Sequence, residues 1–140
     1  METIAVLPEP PAQEQEQGTI ELLIADDDSG MRAFLVSRAR EAVRSLAVHE
    51  ASDGAEAIQI GLQQRPQIAL MDVDMPRLGG MEVALVLREL LPGVRLALFT
   101  GDPAAHCDDA RELCLPLFDK LQSDGVLRWV EAQARRARGA

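Results

Sequence analysis

From about residue 20 onward, short and almost wholly apolar runs alternate with stretches whose apolar residues recur at helical spacing, and turn signals mark nearly every junction. Strands apolar on both sides suit a parallel sheet covered on both faces, and little else. The runs fall at residues 20–25, 46–50, 67–72, 94–99 and 115–119. Between them lie helical stripes: Met31, Phe34, Leu35, Ala39, Ala42 and Val43, then Ala55, Ile58 and Leu62, then Val83, Val86, Leu87 and Leu90. A fourth helix starts with Asp102 as N-cap and Pro103 at its first position and runs to about Leu113. The last carries Val126, Trp129, Val130 and Gln133 behind a cap at Ser123 or Asp124. Right-handed crossovers then predict an α/β fold, a doubly wound five-stranded parallel sheet in the order 2-1-3-4-5 with helices on both faces.

In such a sheet the carboxyl ends of the strands share one edge, where ligands bind. The third strand ends on Asp72, and an unpaired charge at the tip of a buried strand is costly. The first strand ends on Asp26 and Asp27, the fourth on Thr100 and the fifth on Lys120. Two carboxylates about 4 Å apart repel by about 4 kcal/mol at an effective dielectric of 20, so the three acids need a counter-charge. An all-oxygen site with room for water suits Mg²⁺ rather than zinc. A metal, a cation, a hydroxyl and one exposed carboxylate describe a site for accepting a phosphoryl group, where positioning and charge neutralisation do most of the catalysis. Asp28 or Ser29 supplies a helix cap, which explains one acid of the run but not three.

Composition narrows the alternatives. With 140 residues, 47% of them hydrophobic, the chain is sized for one domain with a proper core. A net charge of -9 argues against nucleic acid as a partner, and the one basic cluster, Arg135, Arg136 and Arg138, sits where cations suit the end of the last helix. No run has the apolar length of a membrane span and the first residues lack the basic start of a signal peptide, so a cytoplasmic protein is expected. Residues 1–18, rich in Pro, Glu and Gln, read as a disordered leader ahead of a domain at 19–138. Cys107 and Cys114, seven apart, would share one helix face as ordinary thiols. His49 and His106 are expected away from the carboxyl edge, with no role in the site, and Trp129 as core packing.

With these residues in place, the chain from about Ile20 to Arg136 resembles the response-regulator receiver domain of two-component signalling, of the single-domain, chemotaxis-regulator-like kind. The matching pieces are Leu-Ile-Ala-Asp26-Asp27-Asp28, Leu-Met-Asp72-Val-Asp-Met75-Pro76 with Gly80 behind it, Leu-Phe-Thr100-Gly101 and Leu-Phe-Asp-Lys120. The resemblance implies a flavodoxin-like fold, Asp72 as phospho-acceptor, and Mg²⁺ held by Asp26, Asp27, Asp72 and the backbone carbonyl of Asp74. It implies Thr100 and Lys120 on the phosphoryl oxygens, with a histidine kinase or histidine phosphotransfer protein as donor. With no output domain expected after Arg136, signalling would pass to a separate output protein, or through a homodimer formed by the fourth and fifth strand-helix units. Asp74 and Asp102, beside the phosphoryl group, would tune the water that hydrolyses it.

Three departures bear on signalling. Leu121 stands where the family usually has a proline after the lysine, and a cis bond before a non-proline residue costs about 3 kcal/mol, so a trans bond is favoured. Leu117 occupies the usual position of a switch aromatic, and its neighbour Phe118 points to the opposite face, so the ring is not simply replaced. The segment from Thr100 to Lys120 is about two residues short for the family. A pseudo-receiver that binds partners without phosphorylation is the main alternative. A haloacid-dehalogenase-like phosphatase, with Asp72 as nucleophile and Asp74 as general acid-base, is a more distant one.

Overall fold

The computed structural model describes residues 18–139, so the expected leader lies, apart from Gly18, outside the described residues. Five strands, β1 (Ile20–Ala25), β2 (Leu46–Ala51), β3 (Ile68–Asp72), β4 (Arg95–Thr100) and β5 (Leu117–Asp119), pair in parallel in the order β2-β1-β3-β4-β5. The expected sheet is therefore the observed one. Five helices connect and follow them: α1 (Ser29–Ala42), α2 (Gly54–Gln64), α3 (Gly80–Leu90), α4 (Pro103–Glu112) and α5 (Ser123–Gly139). Among the described residues no helix is long and apolar enough to cross a membrane.

Strand alternation splits the core into two layers. Leu22, Ile24, Ile68, Leu70, Ala97 and Phe99 face one way and pack with Leu35, Val36 and Ala39 of α1 and Val126, Leu127 and Val130 of α5. Leu23, Ala25, Ala69, Met71, Leu96 and Leu98 face the other way, against Ala57 of α2, Val83 and Leu87 of α3 and Ala110 of α4. Both faces are dry, which is why the inner strands carry almost no polar residue before their last position.

Several helix faces differ from the sequence expectation. In α1 the buried positions are Leu35, Val36 and Ala39, while Phe34 is 42% exposed beneath the Arg38 guanidinium, which lies 5.6 Å from the ring centroid. Ala42 is exposed as well. In α2 the buried positions are Gly54, Ala57 and Gly61, with Ile58 half-buried against the core as expected, while Ala55 and Leu62 are exposed. The reason is close approach: a Cβ on Gly54 would lie 2.4 Å from the Leu78 carbonyl oxygen, and one on Gly61 would lie 2.6 Å from a Leu87 methyl. Small residues let α2 sit against α3, and the larger side chains move to the rim. Leu90 of α3 is likewise exposed, one turn beyond the buried Leu87. Cys114 lies past the end of α4 in a left-handed turn at φ 58°, so the two free, exposed cysteines do not share a helix face.

The caps are mostly those expected. The Asp28 carboxylate accepts from the Gly30 and Met31 amides, and Asp102 accepts from Ala105 with Pro103 behind it. At α5 the expectation fails, because a 3-10 turn over Lys120–Gln122 runs straight into the helix and Asp119 accepts from the Leu121 amide. Arg138 reaches from the end of α5 to the Gly18 and Arg44 carbonyls, so this part of the basic cluster fastens the helix to the start of the sheet.

Gly80 fixes how α3 meets the end of β3, since a Cβ there would stand 2.3 Å from the Asp72 carbonyl oxygen and 2.8 Å from its carbon. Neither backbone can yield cheaply. Gly80→Ala is expected to lower stability by about 2 to 3 kcal/mol in urea unfolding. Gly101→Ala, where nothing lies within 4 Å of the added carbon, should stay within about 0.5 kcal/mol of the parent. Equal losses at the two positions would contradict this packing account.

Candidate functional site

The strand register builds the site. Ala25 of β1 is paired with Met71 of β3, so Asp26 and Asp72, the next residue on each strand, emerge side by side. Thr100 is paired with Asp119, which places Lys120 one residue beyond the end of β5. Asp26, Asp72 and Lys120 continue the alternation of Ile24, Leu70 and Phe118, on the α1 and α5 side. Thr100 continues that of Leu98, on the α2 to α4 side.

Asp26 is 0% exposed and Asp72 1%, and the Lys120 ammonium bridges them at 3.1 Å from Oδ2 of each. Lys120 is held in turn over the buried Phe99 ring, 5.2 Å from its centroid. The remaining oxygens are used locally: Asp26 Oδ1 accepts from the Asp28 amide at 2.9 Å, and Asp72 Oδ1 accepts from the Asp74 amide at 3.1 Å. Arg32 of α1 donates to the Asp26 carbonyl at 2.6 Å and to Glu50 at 3.1 Å, tying the acidic loop to β2.

One lysine does not satisfy two buried acids. Burial pushes the Asp72 carboxyl up to about 7, the neighbouring Asp26 adds to the rise, and the Asp74 amide and Lys120 only partly oppose it. Burial also works against the Lys120 ammonium, but the Asp26 and Asp72 carboxylates outweigh it and raise that group. Asp26 Oδ2 has the Lys120 ammonium at 3.1 Å as its ion-pair partner and makes no hydrogen bond to another described residue. Asp26, Asp27 and Asp72 each offer an oxygen within 4.8 Å of the others, with Asp27 exposed to solvent. A buried oxygen held by one ion pair and no hydrogen bond, in an all-oxygen trio, fits a hard divalent cation that keeps some of its water.

Thr100 is brought to the same edge but not to Asp72. Its hydroxyl donates to Asp74 Oδ2 at 2.8 Å and accepts from the Asp102 amide at 3.1 Å. The other Asp74 oxygen lies 3.1 Å from Nε2 of His106 on α4. The expectation that His106 stands apart from the acids is thus corrected, since one helical turn past Asp102 carries the ring back over the Asp74 loop. Sequence offered only a weak signal for this, namely a histidine four residues after the cap of a helix that begins at the site. His49 does stand apart, paired with Glu21 at 2.6 Å. Leu117 packs on the α2 to α4 face and Phe118 on the other, 6.1 Å from the Trp129 ring, so no aromatic side chain takes the expected switch position. Among the described residues every peptide bond is trans, that between Lys120 and Leu121 included, and Leu121 is 85% exposed.

Comparison with known proteins agrees with the fold. Residues 22–114 match the response regulator receiver domain family, and the chain belongs to it. It is 34% identical over 79 residues to the transcriptional activator protein ExaE of Pseudomonas putida, a match covering 56% of this chain and 37% of that protein. It is 38% identical over 69 residues to the response regulator MprA of a Mycobacterium species, covering 49% of this chain and 29% of the relative. The chain thus spans well under half the length of these curated relatives. Among solved structures, the receiver domain of AraT, a response regulator from Geobacillus stearothermophilus, superposes with a TM-score of 0.64 at 25% identity, over 84% of this chain and 97% of that one. The receiver domain of the Francisella response regulator 1452 superposes at 0.73 with 20% identity, over 84% and 98%, and speaks to the fold alone. Receiver domains serve phosphorylation-based signalling and generally bind Mg²⁺ at an acidic pocket of this kind.

A raised carboxyl makes stability depend on pH. Between the ordinary value of 3.8 and about 7 the folded state holds a proton that the unfolded state has lost. Stability conferred at low pH is therefore lost as pH rises through 7. In metal-free buffer the stability of Asp72→Asn relative to the parent should increase by roughly 2 to 3 kcal/mol from pH 5 to pH 8. Urea unfolding at the two pH values checks this, and a difference that stays constant contradicts it.

Proposed function

We propose that this receiver domain accepts a phosphoryl group on Asp72 from a phosphohistidine of a histidine kinase or histidine phosphotransfer protein, and signals by binding a separate output protein when phosphorylated. The observation that carries the reading is the buried Asp72 carboxylate standing beside Asp26 and Lys120 at the end of β3, with the acid trio open to solvent through Asp27. A carboxylate so placed attacks phosphorus in line with the leaving nitrogen. The new O–P bond forms as the N–P bond breaks, and the departing imidazole takes up a proton.

Each side chain has a part. Lys120, already 3.1 Å from Asp72, moves its charge onto a phosphoryl oxygen as the carboxylate is consumed. Thr100 exchanges its bond to Asp74 for a second phosphoryl oxygen. Asp26, Asp27 and Asp72, with the Asp74 carbonyl, would hold Mg²⁺, which when bound neutralises the charge that the acids and the phosphoryl oxygens share. Asp74 and Asp102 flank the reacting edge and tune the water that later removes the group. Because Asp74 is engaged by Thr100 and His106, it is poorly placed as the general acid of a phosphatase.

Output follows from the same edge. Thr100 and Asp102 stand at the start of α4, so a shift of the threonine toward Asp72 alters the face made by β4, α4, β5 and α5. That face suits an output protein or a second copy of the chain. A cytoplasmic setting, where kinases of this class present their phosphohistidine, is part of the proposal.

Two measurements test it. Incubation with Mg²⁺ and acetyl phosphate should give a labile mass increase of one phosphoryl group, absent in Asp72→Asn and absent with chelator; an unmodified parent protein would leave a binding module that works without phosphorylation. Mg²⁺ binding the folded state alone should raise the melting temperature of the parent at pH 8 by about 4 °C near fivefold its dissociation constant. Asp72→Asn should show much less of this shift. For the tuning role, Asp74→Ala and Asp102→Ala should each change the lifetime of the adduct severalfold, and unchanged lifetimes remove both from the mechanism.

A further inference from the structure

We propose that His106 is a positioning residue that latches the Thr100 hydroxyl away from Asp72 in the unphosphorylated domain. The inference rests on the phosphoryl-acceptor reading above and adds to it the part that sets how readily the site switches.

Four contacts define the latch. Asp74 sits one residue beyond Val73, with its amide on Asp72 Oδ1 at 3.1 Å, so its backbone belongs to the acidic pocket while its side chain faces α4. That side chain takes two donors, the Thr100 hydroxyl at 2.8 Å on Oδ2 and His106 Nε2 at 3.1 Å on Oδ1. An ionised carboxylate can only accept, so Nε2 carries the proton and donates it. With both oxygens committed, the carboxylate has one orientation, and the Asp102 amide, 3.1 Å from the same hydroxyl, fixes the threonine from the other side.

The energetics are favourable because the parts are sheltered to different degrees. Thr100 is fully buried, so a hydroxyl released from Asp74 without a phosphoryl oxygen to meet would lose its hydrogen bond in a dry place. The His106 side chain is 25% exposed and that of Asp74 is 55%. On its own such an exposed carboxylate would sample several rotamers. The His106 bond removes that freedom and so acts on Thr100 through Asp74 without touching Asp72. Strand alternation makes the arrangement possible: Thr100 leaves β4 toward α4, on the opposite side of the sheet from the Asp26, Asp72 and Lys120 cluster. To reach a phosphoryl group the hydroxyl must give up this carboxylate.

Weakening the latch should therefore favour the switched state. The probe is beryllofluoride with Mg²⁺, a tetrahedral mimic of a phosphoryl group on a carboxylate, with bound fluorine followed by NMR. His106→Ala should bind it about three- to tenfold more tightly than the parent, the factor one hydrogen bond of ordinary net strength corresponds to. His106→Gln, which keeps a donor of similar reach, should return toward the parent value. In a Thr100→Val background, His106→Ala should have no further effect. Unchanged or weaker binding in His106→Ala, or an effect that persists with Thr100→Val, overturns the latch.

A second readout does not depend on phosphoryl chemistry. Three-bond couplings at Asp74 in the unliganded protein should report a single χ1 rotamer in the parent and a mixture in His106→Ala. A single rotamer in both overturns the latch even if beryllofluoride binds. Should the parent take up no beryllofluoride at all, it is the acceptor reading that fails, and the rotamer measurement decides the latch alone. A histidine that merely steadied α4 would lower the melting temperature without moving either readout.

Discussion

Everything at the carboxyl edge depends on two carboxylates buried side by side with one ammonium between them. Asp26 and Asp72 are removed from water at the ends of adjacent central strands, and among the described residues Lys120 is the only cation paired with both. Hydrophobic layers above and below the sheet make that burial unavoidable, and burial raises the Asp72 carboxyl to about 7. The pocket is thus left short of positive charge. A group that brings or redistributes charge there, whether a divalent cation or a phosphoryl ester, acts on a structure already under electrostatic tension.

The sheet also divides the labour. Side chains alternate across it, so the acids and the lysine fall on the α1 and α5 side while Thr100 falls toward α4. In the proposed function, chemistry and its readout then occupy opposite faces of one edge, joined through the short Asp74 loop. This clarifies the departures at β5. Phe118 is turned toward Trp129, and the other face offers the smaller Leu117. What bonds to Thr100 is instead Asp74, itself held by His106, together with the Asp102 amide.

The strands were legible because each is apolar on both sides, a pattern helices rarely imitate over so short a length, and strand ends located Asp26, Asp72, Thr100 and Lys120 correctly at one edge. Helix faces were less legible. Phe34, Leu62 and Leu90 read as core and are exposed, while Gly54 and Gly61, not among the expected core positions, are buried. Which face of a helix turns inward depends on how closely its neighbour approaches, and a glycine that permits contact carries no hydrophobic signal. His106 was missed for a related reason, since its partner lies 32 residues away on another element.

Sequence by itself determined the number and type of elements, the sheet they form and the residues that end its strands, because these follow from local periodicity and turn chemistry. Only the tertiary structure decided how those residues pair. Register set Asp26 beside Asp72 and carried Lys120 to both, while alternation sent Thr100 to Asp74 and His106. Charge, burial and hydrogen bonding depend on distances between segments far apart in the chain, and those distances exist only once the sheet has closed.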